Sequence, residues 1–200
     1  MAQRLYLGLL FEIQFMAEVS GGANTLGAPR AAGGVVPVAL QFGCGAGLAC
    51  VLWMAGLQLT GNNGFGPKQI LAQLLVPLAA LASEWVLRKQ LRPNKPGIAR
   101  SVGVGVLTAV LAAVLSAWGV LGMAYVAGEP ALARNRAEVK EIVLAQQREN
   151  PKVKRSASEM QQQLANVEKL TPKDMAVSNF TVVLLFGLAL GLPGGIFFRE

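Results

Sequence analysis

The sequence predicts an all-α integral membrane protein, a four-helix bundle with a water-exposed helical hairpin between the third and fourth spans. The chain of 200 residues is 53% hydrophobic and 14% charged, whereas soluble domains contain about 25% charged residues. Residues 35–67, 101–128 and 176–198 carry no charge. Apolar runs of about 18 residues or more are long enough to cross the roughly 30 Å hydrocarbon core of a bilayer as helices.

Residues 1–34 do not fit a membrane span. Their apolar stripe is interrupted by Arg4, Glu12 and Glu18, and Glu12 breaks the apolar core that a secretory signal peptide needs. The Gly- and Ala-rich stretch that follows is typical of a linker. We expect a disordered tail or an interfacial amphipathic helix here, with the membrane domain at 35–200.

The first two spans are predicted at about 36–59 and 68–87. The loop between them is short and rich in Gly and Asn, which makes the two spans antiparallel neighbours. Pro67 suits the first turn of the second helix, where no amide donor is needed. Pro77 is expected to kink the second span.

One acidic residue lies inside the second apolar run. Glu84 is near the end of this run and four residues before Arg88. Side chains four positions apart are neighbours on a helix, so we expect an ion pair at the membrane interface. A functional carboxylate within the membrane is the alternative.

The third span is predicted at about 101–127, and it ends where Gly128 and Pro130 interrupt the helical pattern. Residues 129–171 differ from the apolar spans. They mix basic and acidic residues and carry only weak apolar stripes at helical spacing. We expect a water-facing helical hairpin or one long helix with a break, since Pro151 interrupts the pattern. Its surface is either solvated or bound to a partner.

Two helix starts carry capping signals. Ser156, with Glu159 three residues later, predicts the start of the hairpin's second helix. Thr171, followed by Pro172, predicts an N-cap and a first helical residue. The fourth span is predicted directly after them, at about 174–198.

Small residues recur four positions apart in three of the spans. In lipid such residues let helix backbones approach closely, where packing replaces the hydrophobic driving force. We expect them to pack helices within one bundle, with homodimerisation as the alternative. The candidate packing residues are Gly43, Gly47, Gly105, Ala109, Gly187, Gly191 and Gly195.

The loop between the second and third spans predicts the orientation of the chain. It carries five basic residues and no acid: Arg88, Lys89, Arg92, Lys95 and Arg100. Lys and Arg in short loops are retained on the cytoplasmic side. With four spans both termini lie on the same side as this loop. We therefore expect cytoplasmic termini and a hairpin on the opposite side.

Several classes of function are disfavoured by composition. The chain has no histidine, which excludes Ser-His-Asp triads and HExxH zinc sites. Cys44 and Cys50 lie about 600° apart on a helix and face different sides, so we interpret them as packing residues. No aromatic residues interleave with the basic ones to form a stacking platform for bases, so nucleic acid is not an expected partner. We assign no catalytic, cofactor-binding or metal-binding residue.

The layout resembles an uncharacterised family of small bacterial four-span inner-membrane proteins, a domain of unknown function. The resemblance rests on VALQFGCGAGLACVLWMAGLQLTG at 38–61 and on RKQLRPNKPGIARSVGVGV at 88–106. Pro130 after the third span and Pro172 before the fourth also match, and the similarity covers about 35–200. It implies a multi-pass inner-membrane protein and brings no catalytic residue, substrate or cofactor.

The expected function is that of a non-enzymatic envelope protein whose exposed hairpin contacts a partner protein or a second copy. A component of a small-molecule or ion transporter or channel is the alternative. Pro77 and Pro193 would break helices within the membrane, as in transport sites. The glutamines that could line a polar path are Gln41, Gln58, Gln69 and Gln73. An intramembrane enzyme is not expected, because the spans hold no paired carboxylates and no G-x-S-x-G motif.

Overall fold

The computed structural model describes residues 34–94, 96–149 and 156–198. Within these ranges the chain is helical apart from turns and connections, and no strand is present. The helices in chain order are α1 (Val35–Leu59), α2 (Ile70–Gln73), α3 (Leu75–Gln90), α4 (Ile98–Glu149), α5 (Ala157–Glu168) and α6 (Pro172–Phe197). A 3₁₀ turn, Pro67–Gln69, precedes α2. The predicted tail before Gly34 lies outside the described residues.

Four helical stretches are long and apolar enough to cross a membrane, namely Val35–Leu59, Pro67–Gln90, Ile98–Glu149 and Pro172–Phe197. Their outer faces are also apolar. Leu52, Trp118 and Leu185 are 70%, 68% and 60% exposed, and exposed apolar surface of this extent is typical of a face that meets lipid. The predicted fold class, all-helical with four apolar spans, is confirmed.

The second span is interrupted at Leu74, between α2 and α3. Pro77 lies three residues later and has no amide hydrogen, so the Gln73 carbonyl loses its helical donor. The proline ring also crowds that carbonyl, which moves the backbone away from regular helix. The interruption therefore lies where Pro77 predicts a kink.

Helix α4 changes direction at Gly128, which has φ 67° and ψ −171°. A positive φ suits glycine, because it has no Cβ to clash with the backbone. We call the segments before and after this residue α4a (98–127) and α4b (129–149). Pro130 lies in the first turn of α4b, where no amide donor is needed. The predicted end of the third span thus coincides with a kink, and a new helix begins at once.

Helix α4a is the centre of the bundle, and α4 contacts α1, α3 and α6. Glycines bring α1 against it. A Cβ at Gly43 would lie 2.9 Å from the Thr108 carbonyl oxygen, and one at Gly47 would lie 2.8 Å from the Leu115 Cβ. Such contacts are too short for a side chain, so the two backbones meet at close range.

Helix α6 approaches α4a in the same way. Gly187 lies against Ala109, and Gly191 lies against Gly105. A Cβ at Gly195 would lie 2.7 Å from the Val102 Cα. The seven candidate packing residues thus all face a neighbouring helix of the same chain. Gly119, which packs against Val51, belongs to this group although its spacing did not indicate it.

The charged insert forms two helical segments, α4b and α5. Both predicted capping boxes are present, at Ser156 with Glu159 and at Thr171 with Asp174. Helix α5 contacts α4 and buries one apolar edge, while most of its other side chains are exposed. An ion pair of 3.3 Å joins Lys140 Nζ to Glu168 Oε1 across the two segments.

Candidate functional site

A cavity of about 450 Å³ opens at the end of the bundle that carries the charged insert. The loop after α1, helix α2, both parts of α4 and the first turns of α6 form its walls. Its polar lining comprises Gln69, Gln73, Asn135, Ser178 and Asn179. Its apolar lining includes Phe65, Ile70, Val120, Val139, Ile142, Leu170, Met175 and Val182.

A chain of hydrogen bonds between buried side chains forms the floor of this cavity. Gln73 Nε2 donates to Asn179 Oδ1 at 2.9 Å, and Asn179 Nδ2 donates to Ser116 Oγ at 2.7 Å. The Cys50 thiol faces the same Ser116 hydroxyl. One layer of polar groups therefore joins all four spans. We call Gln73, Asn179 and Ser116 the floor triad.

Local backbone features place the two amides of the floor triad. Gln73 is the last residue of α2, at the break that Pro77 causes. Asn179 lies eight residues after the N-cap Thr171, about 12 Å along the helix axis at 1.5 Å per residue. The capping box therefore fixes how deep Asn179 enters the bundle. Both amides are 7% exposed, so each needs its hydrogen-bond partner.

The loop after α1 forms one wall and is fastened to α4b. Asn63 Nδ2 donates to Asn135 Oδ1 at 3.0 Å and to Glu138 Oε2 at 2.6 Å. Asn63 Oδ1 accepts from the Phe65 amide at 2.9 Å. Gly66 fits here because a Cβ would lie 3.0 Å from Glu138 Oε1. These contacts hold the loop against the segment that follows the Gly128 kink.

The lining of the cavity is uncharged in the part of the chain that the structure describes. Glu138 lies at its edge, bonded to Asn63. The ion pairs of the insert lie on the water side: Glu129 with Arg136 at 2.5 Å and Lys140 with Glu168. Exposed pairs of this kind contribute little stability. The cavity therefore offers amide and hydroxyl groups between apolar walls.

A second polar layer lies nearer the opposite end of the bundle. Thr108 Oγ1 is 3.0 Å from Ser83 Oγ, and each hydroxyl also donates to a carbonyl of its own helix. Glu84, which follows Ser83 in α3, is 0% exposed. Neither of its carboxylate oxygens has a hydrogen-bond partner within the described residues.

The predicted ion pair between Glu84 and Arg88 is wrong. The Glu84 carboxyl points between Gly105 of α4a and Gly194 of α6. The Arg88 guanidinium instead lies 6.0 Å from the centre of the Phe198 ring, where a cation–π contact is available. The spacing of Glu84 and Arg88 along one helix allows an ion pair. The carboxyl instead packs against two glycines on neighbouring helices, because they have no side chain to exclude it.

The four glutamines proposed as a polar path do not form one. Gln69 and Gln73 line the cavity. Gln58 accepts from the Gly64 amide at 3.3 Å and holds the loop after α1, while Gln41 is exposed on α1. The sequence analysis missed Ser116 and Asn179 as partners of Gln73. The sequence does mark Asn179 as unusual, because it is an amide side chain inside the uncharged run 176–198.

The topology determinants lie at the end of the bundle opposite the cavity. Lys89, Arg92 and Arg100 are exposed and Arg88 is half-buried. Lys89 Nζ also lies 5.4 Å from the centre of the Trp85 ring, an aromatic position typical of a membrane interface. Lys95 is outside the described residues. Among the described Cys, Asp and Glu side chains, no group of three could hold a metal ion.

A family model described as a protein of unknown function, DUF4199, matches residues 41–200. The chain belongs to this family. The match covers nearly all of the described bundle, including the cavity and both polar layers, and it confirms the resemblance to a family of unknown function. No curated protein and no solved structure matches the chain. The family description gives no activity or ligand. The cavity is therefore the feature of this DUF4199 chain that indicates a function.

Proposed function

We propose that this DUF4199 chain is a non-enzymatic, multi-pass protein of a bacterial inner membrane that binds a small uncharged molecule in the cavity. In this proposal it serves as the substrate-binding component of a small-molecule transporter. The observation that supports it is the floor triad, which joins three spans beneath the opening. Intramembrane polar groups are costly in lipid and are commonly functional.

The shape of the site supports the same proposal. Transport sites lie where membrane helices are broken, and Gln73 lies at the interruption that Pro77 causes in the second span. Ligand pockets typically measure about 300–1,000 Å³, and this cavity measures about 450 Å³. The kinked second span and the capped fourth span each supply one amide to the floor.

The lining indicates the class of ligand. The described residues that line the cavity include no charged group that could neutralise an ionic ligand, and burying an unpaired charge is costly. Amide groups of Gln69, Gln73 and Asn179 can donate to a carbonyl, and they can both donate to and accept from an amide or a hydroxyl. The remaining wall is largely apolar. An uncharged, amphipathic molecule fits this combination.

Small molecules that co-purify with the protein test the proposal. Protein purified in mild detergent would be extracted with solvent, and the extract analysed by mass spectrometry. Wild type should carry an enriched uncharged compound, and Asn179→Leu should lose it by about tenfold or more, the effect of roughly 1.4 kcal/mol. Gln41→Leu, on the outer face of α1, is the matched control. Equal recovery from folded Asn179→Leu and wild type would contradict the proposal.

A second candidate is that the insert binds an envelope protein or a second copy of this chain. Helix α5 favours it, because Gln161, Gln162 and Asn166 are exposed while Met160 and Val167 are buried. A photo-cross-linker at Gln147 or Gln162 should then trap one defined adduct in native membranes. Recovery of free monomer alone would count against this candidate.

The sidedness of the chain is also a proposal. Four described basic residues, Arg88, Lys89, Arg92 and Arg100, lie at the end opposite the cavity. Positive residues in short loops favour the cytoplasmic side, where anionic lipids attract them. We place both termini in the cytoplasm, so the cavity and the insert face the other side of the membrane.

A further inference from the structure

The buried carboxyl of Glu84 lies outside the cavity and has no hydrogen-bond partner among the described residues. It lies in α3 and faces α4a and α6, where a Cβ at Gly105 or Gly194 would overlap its oxygens. Ser101, one helical turn before Gly105, is also 0% exposed. Within the described ranges, the Ser101 hydroxyl and the Glu84 carboxyl oxygens are the buried side-chain atoms that lack a hydrogen bond.

No basic side chain neutralises this carboxyl in the described parts of the neighbouring helices. On α3 itself, Arg88 turns towards Phe198 and Lys89 towards Trp85. On α4a the residue against the carboxyl is Gly105, and Arg100 is exposed. From α6 the facing residue is Gly194. α1 contributes Val38 and Ala39 to the apolar cluster around the neighbouring Leu87.

An ionised carboxylate in this buried position would have no counter-charge among the described residues, which is strongly unfavourable. A bound cation removes this penalty. Hard metal cations such as Ca²⁺ and Mg²⁺ take about six oxygen ligands or more, and among the described residues the Ser101 hydroxyl is the one other buried side-chain oxygen that lacks a hydrogen bond. A proton needs one oxygen. We propose that Glu84 is a proton-binding site that exchanges its proton with water at the basic-loop end of the bundle.

The route for exchange lies along the end of α6. Glu84 is six residues before the end of α3, about 9 Å at 1.5 Å per residue. The wall opposite the carboxyl contains Pro193, Gly194 and Gly195 near the end of α6. Proline removes one helical hydrogen bond and glycine weakens a helix. Local opening of this stretch would expose the carboxyl to water.

Dicyclohexylcarbodiimide tests the site in native membranes. This reagent dissolves in lipid and adds to a protonated carboxyl, forming an N-acylurea without a leaving group. Wild-type membranes would be treated over a series from mildly acidic to mildly alkaline pH, with and without added sodium. The expected result is modification of Glu84, identified from its peptide mass, with a yield that falls as pH rises and is unaffected by sodium.

The controls separate this carboxyl from the others. Glu84→Gln should remove the modified peptide, whereas Glu141→Gln, on the exposed surface of α4b, should leave it unchanged. The wild-type pH series remains decisive if Glu84→Gln does not fold. An unmodified Glu84 in native membranes, a pH-independent yield, or protection by sodium would overturn the proposal. Glu84 lies outside the cavity, so its modification should be the same whether or not Asn179→Leu loses the cavity ligand.

Discussion

At the scale of single residues, the buried polar side chains decide what the bundle can do. The sequence placed Gln73 inside a span, but its partner Asn179 lies 106 positions further along the chain. Periodicity within one helix carries no information on such a pairing, because the pairing depends on how three helices rotate against each other. The prediction of a Glu84–Arg88 ion pair is wrong for the same reason. The position of the carboxyl depends on glycines in two other helices, which spacing within one helix does not reveal.

The floor triad predicts coupled stability effects. Gln73→Leu removes one hydrogen bond between spans and should lower the unfolding free energy in detergent by about 1 kcal/mol. Asn179→Leu removes two such bonds and should lower it by more. The double variant should lose less than the sum of the two, because both substitutions break the same bond. Unfolding titrations of the four proteins measure this. Strictly additive losses would show that the two amides do not interact.

At the scale of helices, the small-residue spacing and both capping boxes could be predicted from the sequence. These signals are local: a glycine face depends on the helical period, and a capping box on residues three positions apart. The sequence predicts that the third span ends at Gly128. It does not predict that a new helix, α4b, begins directly after this kink. Pro130 is compatible with an end of the helix and with the start of a new one. The contacts of α4b with the loop after α1 favour the new helix.

The glycine face of α1 predicts a position-specific effect. Gly47→Val would force a side chain against Leu115 and the Ala112 carbonyl, and overpacking of this kind costs about 1–3 kcal/mol. Gly45→Val is the matched control, because a Cβ at Gly45 meets nothing within 4 Å. Thermal melts in one detergent compare the two. Equal melting temperatures would contradict the packing of α1 against α4a.

At the scale of the whole molecule, the two ends of the bundle differ in charge. Residues 88–100 carry basic side chains without an acid, whereas the insert mixes basic and acidic side chains on water-exposed helices. Between these ends the outer surface is apolar. The sequence predicted this division because charge and hydropathy are properties of segments. The cavity could not be predicted, since its walls come from four separate parts of the chain.

The central claim is that the chain threads a membrane four times, with α4a separating the basic loop from the insert. A background with Cys44→Ala and Cys50→Ala would carry one new cysteine, Asn94→Cys or Gln147→Cys, and both positions are exposed. A membrane-impermeant maleimide added to spheroplasts should label Gln147→Cys directly and Asn94→Cys only after permeabilisation. Labelling of both positions from the same side would contradict the threading, and the reverse pattern would contradict the proposed orientation.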